Sequence, residues 1–306
     1  MTVGVTLDTT GTDLTLDDAV RQAREARASG LASLWFGQTF GHDAPTVAAV
    51  IGRDVPGIQL GTAALPVFGR HPLLVSSQAQ TVQAATGGRF HLGLAVGTKL
   101  ISEGGLGIPF ERPVARLREF LTVLRQLLET GEADFEGELI TARTPWPARV
   151  PGAAPTVPVH VAAMGPQALR VSGRLADGIL PYLAGPRALE EHIVPELHRA
   201  AEEAGRPAPR VVAFVPGVVT PDPEPLRARL YEDLAFYEQI PSYARVIEQS
   251  GHRRAADLAV VGDEKDLADA VRRYRDAGAT DVVVSGTEIA GDDARLRTWE
   301  VLGELA

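Results

Sequence analysis

Short apolar runs rich in β-branched and aromatic residues recur along this chain, and the stretches between them are long enough to hold helices. The runs are Val3–Leu7, Ser33–Gly37, Ile58–Leu65, Phe90–Val96, Val157–Ala162, Gly178–Leu183, Val211–Val215 and Asp281–Ser285. Strand followed by crossover, repeated, demands a parallel sheet, and eight strands is the number that closes a (β/α)8 barrel. The rival architecture is an open doubly wound sheet. No G-x-G-x-x-G opens the first unit, so the sequence predicts an α/β fold of the TIM-barrel type, one domain over residues 1–306.

Apolar residues return at three- and four-residue spacing in Leu16–Ser29, Leu73–Thr86, Val114–Thr130, Pro186–Ala204, Asp263–Ala277 and Asp292–Leu305. Ser29-Gly30, Ala204-Gly205 and Ala277-Gly278 put glycine where a helix C-terminus turns left-handed, and Asp263 can cap the helix it precedes. Two segments exceed a minimal barrel: Thr98–Pro113 after strand four, and Thr220–Asp257 after strand seven, the latter expected to hold more than one helix. Loops after barrel strands face the end where sites are built, so insertions there read as lids or substrate walls. Pro145–Pro158 reads as a surface crossing.

Composition narrows the chemistry. The chain has no cysteine, which removes disulfides, thiolate metal sites and cysteine nucleophiles. Its net charge of -9 and the absence of a basic cluster oppose nucleic acid as a partner. No run approaches the ~20 apolar residues of a membrane span and no basic leader opens the chain, so a cytoplasmic location is expected. Lysine occurs only at Lys99 and Lys265, leaving few Schiff-base candidates. No H-x-x-x-H or clustered acidic and histidine spacing suggests a metal.

Residues 157–180 read as a buried strand, a turn, a helix and a second buried strand. Gly165-Pro166 opens the helix at the strand's end, where unpaired amides and the positive end of the helix dipole can hold an anion. An ordinary βαβ joint would look the same.

At the predicted strand ends stand Trp35-Phe36-Gly37-Gln38, Gly61-Thr62-Ala63-Ala64-Leu65-Pro66, Arg70-His71-Pro72, the run GRFHLGLAVG at 88–97, and Ala162-Ala163-Met164-Gly165-Pro166. In order and spacing, with PFERPVARLREFL at 109–121 and the late VVGD, these motifs resemble the luciferase-like monooxygenase superfamily, and most of all its coenzyme F420-dependent branch. The resemblance covers nearly the whole chain. It implies a barrel that binds a deazaflavin or flavin at the C-terminal strand ends and exchanges hydride at ring position C5 with a small organic substrate. It also implies a bulge in strand three, often with a non-proline cis peptide, behind the ring; by motif this falls at Ala63 and Ala64. Gly97 and Thr98 would approach the ring or ribityl chain, and Met164, Gly165, Pro166 and Gln167 would present amides to the phosphate. Relatives are often oligomeric, so a homodimer is expected.

One departure matters. Many F420-dependent relatives carry Asp-His after the strand-two tryptophan, and the matching positions here are Gln38 and Thr39. Gln38 cannot titrate and would orient ring or substrate; His42 is the nearest titratable substitute, or else a cap for the following helix. His71 and His91 read as structural, and His160 as a core histidine that could face the lumen. Arg112, Arg116 and Glu119 read as a helix start with structural ion pairs, and Lys99 as a loop lysine or a contact for the cofactor tail. Two other functions share the fold: an FMN-dependent monooxygenase using dioxygen, and a non-catalytic flavin-binding barrel. Phe236, Tyr237 and Tyr243 in the late insertion would wall the substrate pocket or form a dimer surface.

Overall fold

The computed structural model describes residues 2–8 and 14–306. Eight parallel strands form a closed ring: β1 (Thr2–Leu7), β2 (Ser33–Phe36), β3 (Gln59–Thr62), β4 (Phe90–Ala95), β5 (Val159–Ala162), β6 (Gly178–Ile179), β7 (Arg210–Val219) and β8 (Asp281–Ser285). Each pairs with its sequence neighbours, and the β1–β8 ladder, Thr2 opposite Asp281 through Val5 opposite Val284, closes the ring. The (β/α)8 barrel is therefore the fold. All eight sequence runs fall on these strands.

Eight helices surround the ring: α1 (Leu16–Ala28), α2 (Ala44–Asp54), α3 (Pro72–Thr86), α4 (Pro113–Thr130), α5 (Pro166–Leu175), α6 (Val194–Glu203), α7 (Glu264–Asp276) and α8 (Asp292–Glu304). The main core lies between ring and helices, where Val3, Leu34, Leu60, Phe90 and Val161 meet helix residues such as Ala23, Ile51, Val82, Leu124 and Trp299. Start signals act as the sequence predicts: Asp263 and Asp266 close a capping box on α7, and Thr15 with Asp18 does the same for α1. Gly30, Gly205 and Gly278 take φ of 91°, 64° and 98° at helix ends.

Helix α2 was not visible as a periodic stripe, because Ala44–Asp54 is apolar on several sides; Asp43 caps it and proline sits at its start. The expected helix 186–204 is interrupted by a π-helical segment, Leu189–Ile193, ahead of α6. A further π-helical turn, Leu100–Gly105, lies between β4 and α4, and a hairpin, Asp134–Glu136 with Thr141–Arg143, follows α4. After β7 come three short helices, Pro223–Asp233, Ala235–Glu238 and Pro241–Gln249. Val260–Gly262 then pairs with the outer half of β7. Among the described residues no helix is long and apolar enough to cross a membrane.

The expected ion pairs at the start of α4 are only partly present. Arg112 pairs with Glu138. The buried Glu119 carboxylate instead accepts the amides of Glu138, Leu139 and Ile140, at 3.2, 2.9 and 2.9 Å, and so holds the hairpin. Arg116 lies 5.0 Å over the Phe68 ring. Backbone amides in the hairpin turn supply the donors the sequence suggested arginine would.

Candidate active site

The lumen is filled by side chains that alternate inward along each strand. Trp35 of β2 occupies its middle, 2% exposed, with Leu180, Val212, Phe214 and Val283 packed around it. Its ring meets Phe214 at 5.5 Å and His160 at 5.9 Å, both edge on, and its indole nitrogen donates to Ser33 Oγ at 3.1 Å. Gly61 makes room for it: a Cβ there would fall 2.3 Å from the indole. His91 and His160 share a 3.1 Å hydrogen bond between Nδ1 and Nε2. His160 does face the lumen, but it is not a fully satisfied core histidine, since its Nδ1 has no partner. Burial holds both imidazoles neutral: His91 is pushed down to about 4, and His160 well below its usual range with His91 as a further cause.

Above this floor the residues are small and half-exposed: Ala63, Ala64 and Ala162, with Tyr182 at the side. The register explains the opening. Gly61 lies opposite His91 and Leu65 opposite Leu94, so four steps along the third-strand segment match three along β4. The extra residue is a bulge. Thr62 bridges the interruption, its hydroxyl donating to Gly93 O and accepting from Gly93 N, both at 2.9 Å. The Ala63–Ala64 peptide at this bulge is cis.

The neighbouring strand ends continue the wall. Gly97, with φ 84°, turns the chain beside Pro66. Thr98 accepts the Ile101 amide at 3.3 Å through its hydroxyl and starts the π-helical turn, so the structure gives it a local turn role. After β5, Met164 and Gly165 lead into α5. No side chain caps that helix, and the space around Gly165 is open. Because Pro166 has no N–H, the unpaired amides belong to Gln167 and its neighbours, at the positive end of the helix dipole. A cleft of about 420 Å3 begins here, lined by Met164, Pro166, His192, Arg199 and Arg245 among others. Arg199 is engaged by Glu196; Arg245 has no carboxylate partner among the described residues. Lys99, by contrast, pairs with Glu103 at 3.6 Å and is solvated.

Gln38 and His42 follow the C-terminal end of β2, and both side chains bond to nearby backbone. The Gln38 carboxamide donates to Thr39 O at 2.7 Å and to His42 O at 3.4 Å, and it accepts the Ala44 amide at 3.1 Å. His42 Nε2 donates to Leu14 O at 2.7 Å. These bonds tie the loop between β2 and α2 to the first turn of α2 and, through His42, to Leu14. His71 likewise caps α3, accepting from Leu73 N and donating to Thr141 O.

Sequence reading missed Tyr182, Ser285, Glu288 and Arg245. Tyr182 shares strand parity with Gly178 and Leu180 and so points inward; that alternation was the available signal. Tyr237 and Tyr243 of the late insertion pack on it, at ring distances of 5.3 and 6.2 Å, so these two face the barrel, while Phe236 is 46% exposed. Burial and these neighbours push the Tyr182 phenol far above its usual range. It cannot ionise in ordinary use.

The family model for luciferase-like monooxygenases matches residues 1–297. The chain is 27% identical to the 5,10-methylenetetrahydromethanopterin reductase of Methanopyrus kandleri, over 85% of this chain and 84% of that one. It is also 27% identical to the F420-dependent glucose-6-phosphate dehydrogenase of Gordonia bronchialis, over 77% and 74%. Among solved structures, an F420-dependent secondary alcohol dehydrogenase in complex with an F420-acetone adduct superposes with a TM-score of 0.84 at 17% identity, covering all of this chain and 98% of the other. Fold, ordered motifs and the match along nearly its full length agree: the chain belongs to the luciferase-like monooxygenase family.

Proposed function

We propose that the protein is an F420-dependent oxidoreductase that moves a hydride between the deazaflavin C5 and a small organic substrate. The observation that carries this reading is the union, on three adjacent strand ends, of a flat slot over an aromatic floor with an uncapped helix N-terminus beside an unpaired arginine. A planar ring joined by a short chain to a phosphate fits both halves. Its tricyclic ring would lie against Ala63 and Ala64, with Gly97 and Thr98 alongside, and its phosphate would meet Arg245 and the amides of Gly165 and Gln167. When bound, the cofactor supplies or accepts hydride. Trp35 and Phe214 seal the slot from below, Tyr182 with Tyr237 and Tyr243 closes one side, and water is kept from the reacting carbon. The names of two of the relatives above, each of which uses F420, support the choice of cofactor.

The test is titration of the protein with F420 and, separately, FMN, followed through tryptophan fluorescence. Micromolar or tighter binding of F420 with weaker FMN binding is expected. Preference for FMN would favour oxygen-using chemistry, and binding of neither would refute the redox reading.

A further inference from the structure

Large apolar side chains stand in water at one mouth of the barrel, about the end of the third strand. Phe40, in the loop after β2, is 68% exposed, and Leu100 and Leu106, in the segment after β4, are 62% and 40% exposed. They form one surface. A Cβ built on Gly105 would stand 3.0 Å from the Phe40 ring, one on Gly104 3.8 Å from Leu100 Cδ1, and one on Gly69 2.9 Å from Leu106 Cδ1. Because β3 lies between β2 and β4 in the ring, a contact between the loops that follow those two strands crosses the end of β3. That end is the bulge with Ala63 and Ala64, tied to β2 by the Ala63 amide, which donates to Phe36 O at 2.8 Å. The segment after β4 is fixed from within: the buried Ser102 hydroxyl donates to Ile108 O at 2.7 Å, and the Ile108 amide donates to Ser102 O at 2.8 Å. Charges beside the patch are engaged locally, Glu103 accepting the Phe110 amide at 3.1 Å and pairing with Lys99 at 3.6 Å, and Asp43 capping α2. The surface these loops leave unengaged is hydrocarbon.

We propose that Phe40, Leu100 and Leu106 are the subsite for the hydrocarbon part of the substrate, and that the protein favours carbonyl or imine compounds whose reacting carbon carries an apolar chain or ring. The proposal rests on the function proposed above and names its substrate class. A ring lying with one face on Ala63 and Ala64 leaves its other face to the substrate, and the part of the substrate that does not react extends towards this mouth. Size favours that occupant. The exposed apolar area is on the order of 300 Å2, enough to cover a chain of several carbons, whereas a stable contact with a second copy takes about 800 Å2 per partner. One exposed leucine is ordinary on any surface, but three adjoining large apolar groups beside a slot gain when a hydrocarbon lies on them and displaces water.

The test is a ligand-observed NMR titration with a homologous series of ketones, 2-butanone to 2-octanone, on F420-loaded and on cofactor-free protein. It compares wild type with the double variant Phe40→Ser/Leu100→Ser and with Trp146→Ser, which removes an equally exposed aromatic, 74% in water, from the surface crossing outside these loops. Wild-type Kd should fall about two- to fourfold for each added methylene, the range for partial to full burial of that group. The double variant should show less than about 1.5-fold per methylene, and Trp146→Ser should follow wild type, on the same area reasoning. All three proteins should bind F420 within about threefold of one another, because the substitutions lie on the substrate side of the slot. A flat series in wild type, or the same slope in the double variant, would overturn the proposal. So would sedimentation in which the double variant has half the mass of wild type, since the patch would then belong to a second copy. Failure of wild type to bind F420 would count against the proposed function, and the cofactor-free series would still decide the subsite.

Discussion

Acid should destabilise this protein through the histidine pair beside Trp35, and the size of the effect follows from the structure. His91 has an ordinary imidazole value of 6.5 when unfolded and about 4 when folded, because burial and Arg210 oppose its charge. A folded pKa below the unfolded one means that the stabilisation is complete above 6.5 and is lost as pH falls through 6.5 towards 4. The slope is about 1.4 kcal/mol per pH unit, so at pH 5 His91 alone removes about 2 kcal/mol. His160, wholly buried and bonded to His91, shifts in the same direction and adds to the loss. Urea unfolding at pH 7.5 and pH 5, read by tryptophan fluorescence, gives the change for wild type and for a His91→Asn/His160→Asn variant. The wild type should lose at least about 2 kcal/mol more than the variant, on the linkage above. Equal losses would refute the reasoning, as would an NMR titration in which every histidine protonates near its ordinary value.

Other outcomes follow from particular contacts. Thr62→Val keeps the side-chain volume but removes both bonds to Gly93, and should cost about 1–3 kcal/mol in denaturant unfolding while weakening F420 binding. Gly61→Ala places a methyl 2.3 Å from the Trp35 ring, an overpacking of about 1–3 kcal/mol that should also change the tryptophan emission. At Gly165 the backbone φ of -80° and open surroundings tolerate a side chain, so Gly165→Ala should leave stability and F420 affinity near wild type. Gly165→Asp should weaken F420 by about tenfold at low salt, the loss shrinking as salt is added.

Local rules made the barrel readable. A strand of alternating or continuous apolar residues and a helix with its cap each announce themselves within a dozen positions, as Asp263 does for α7. Where the local signal is flat the reading missed: α2 has no polar stripe, and Val260–Gly262 is too short to stand out before it finds β7. The site was less legible. Resemblance led to Ala63 and Ala64, but the bulge itself is a difference of register between two strands, which no single run displays. Gln38 and His42 were attractive for their chemistry, and only the fold shows that backbone groups nearby occupy them. Tyr182 comes from a strand end about a hundred residues before Ser285, so their proximity is a property of ring closure.

The Thr62 bridge also bears on how such a barrel can change over time. A continuous third ladder would make the ring more regular. It would also turn Ala63 or Ala64 away and shut the slot. On the function proposed above, the cofactor slot is thus kept by a flaw in the repeat, and the Thr62 hydroxyl bridges that flaw. Variants chosen only for a sturdier fold should drift towards repairing the ladder, so the first sign of a lineage leaving cofactor chemistry would be deletion within Thr62–Leu65, well before any polar residue of the site is lost.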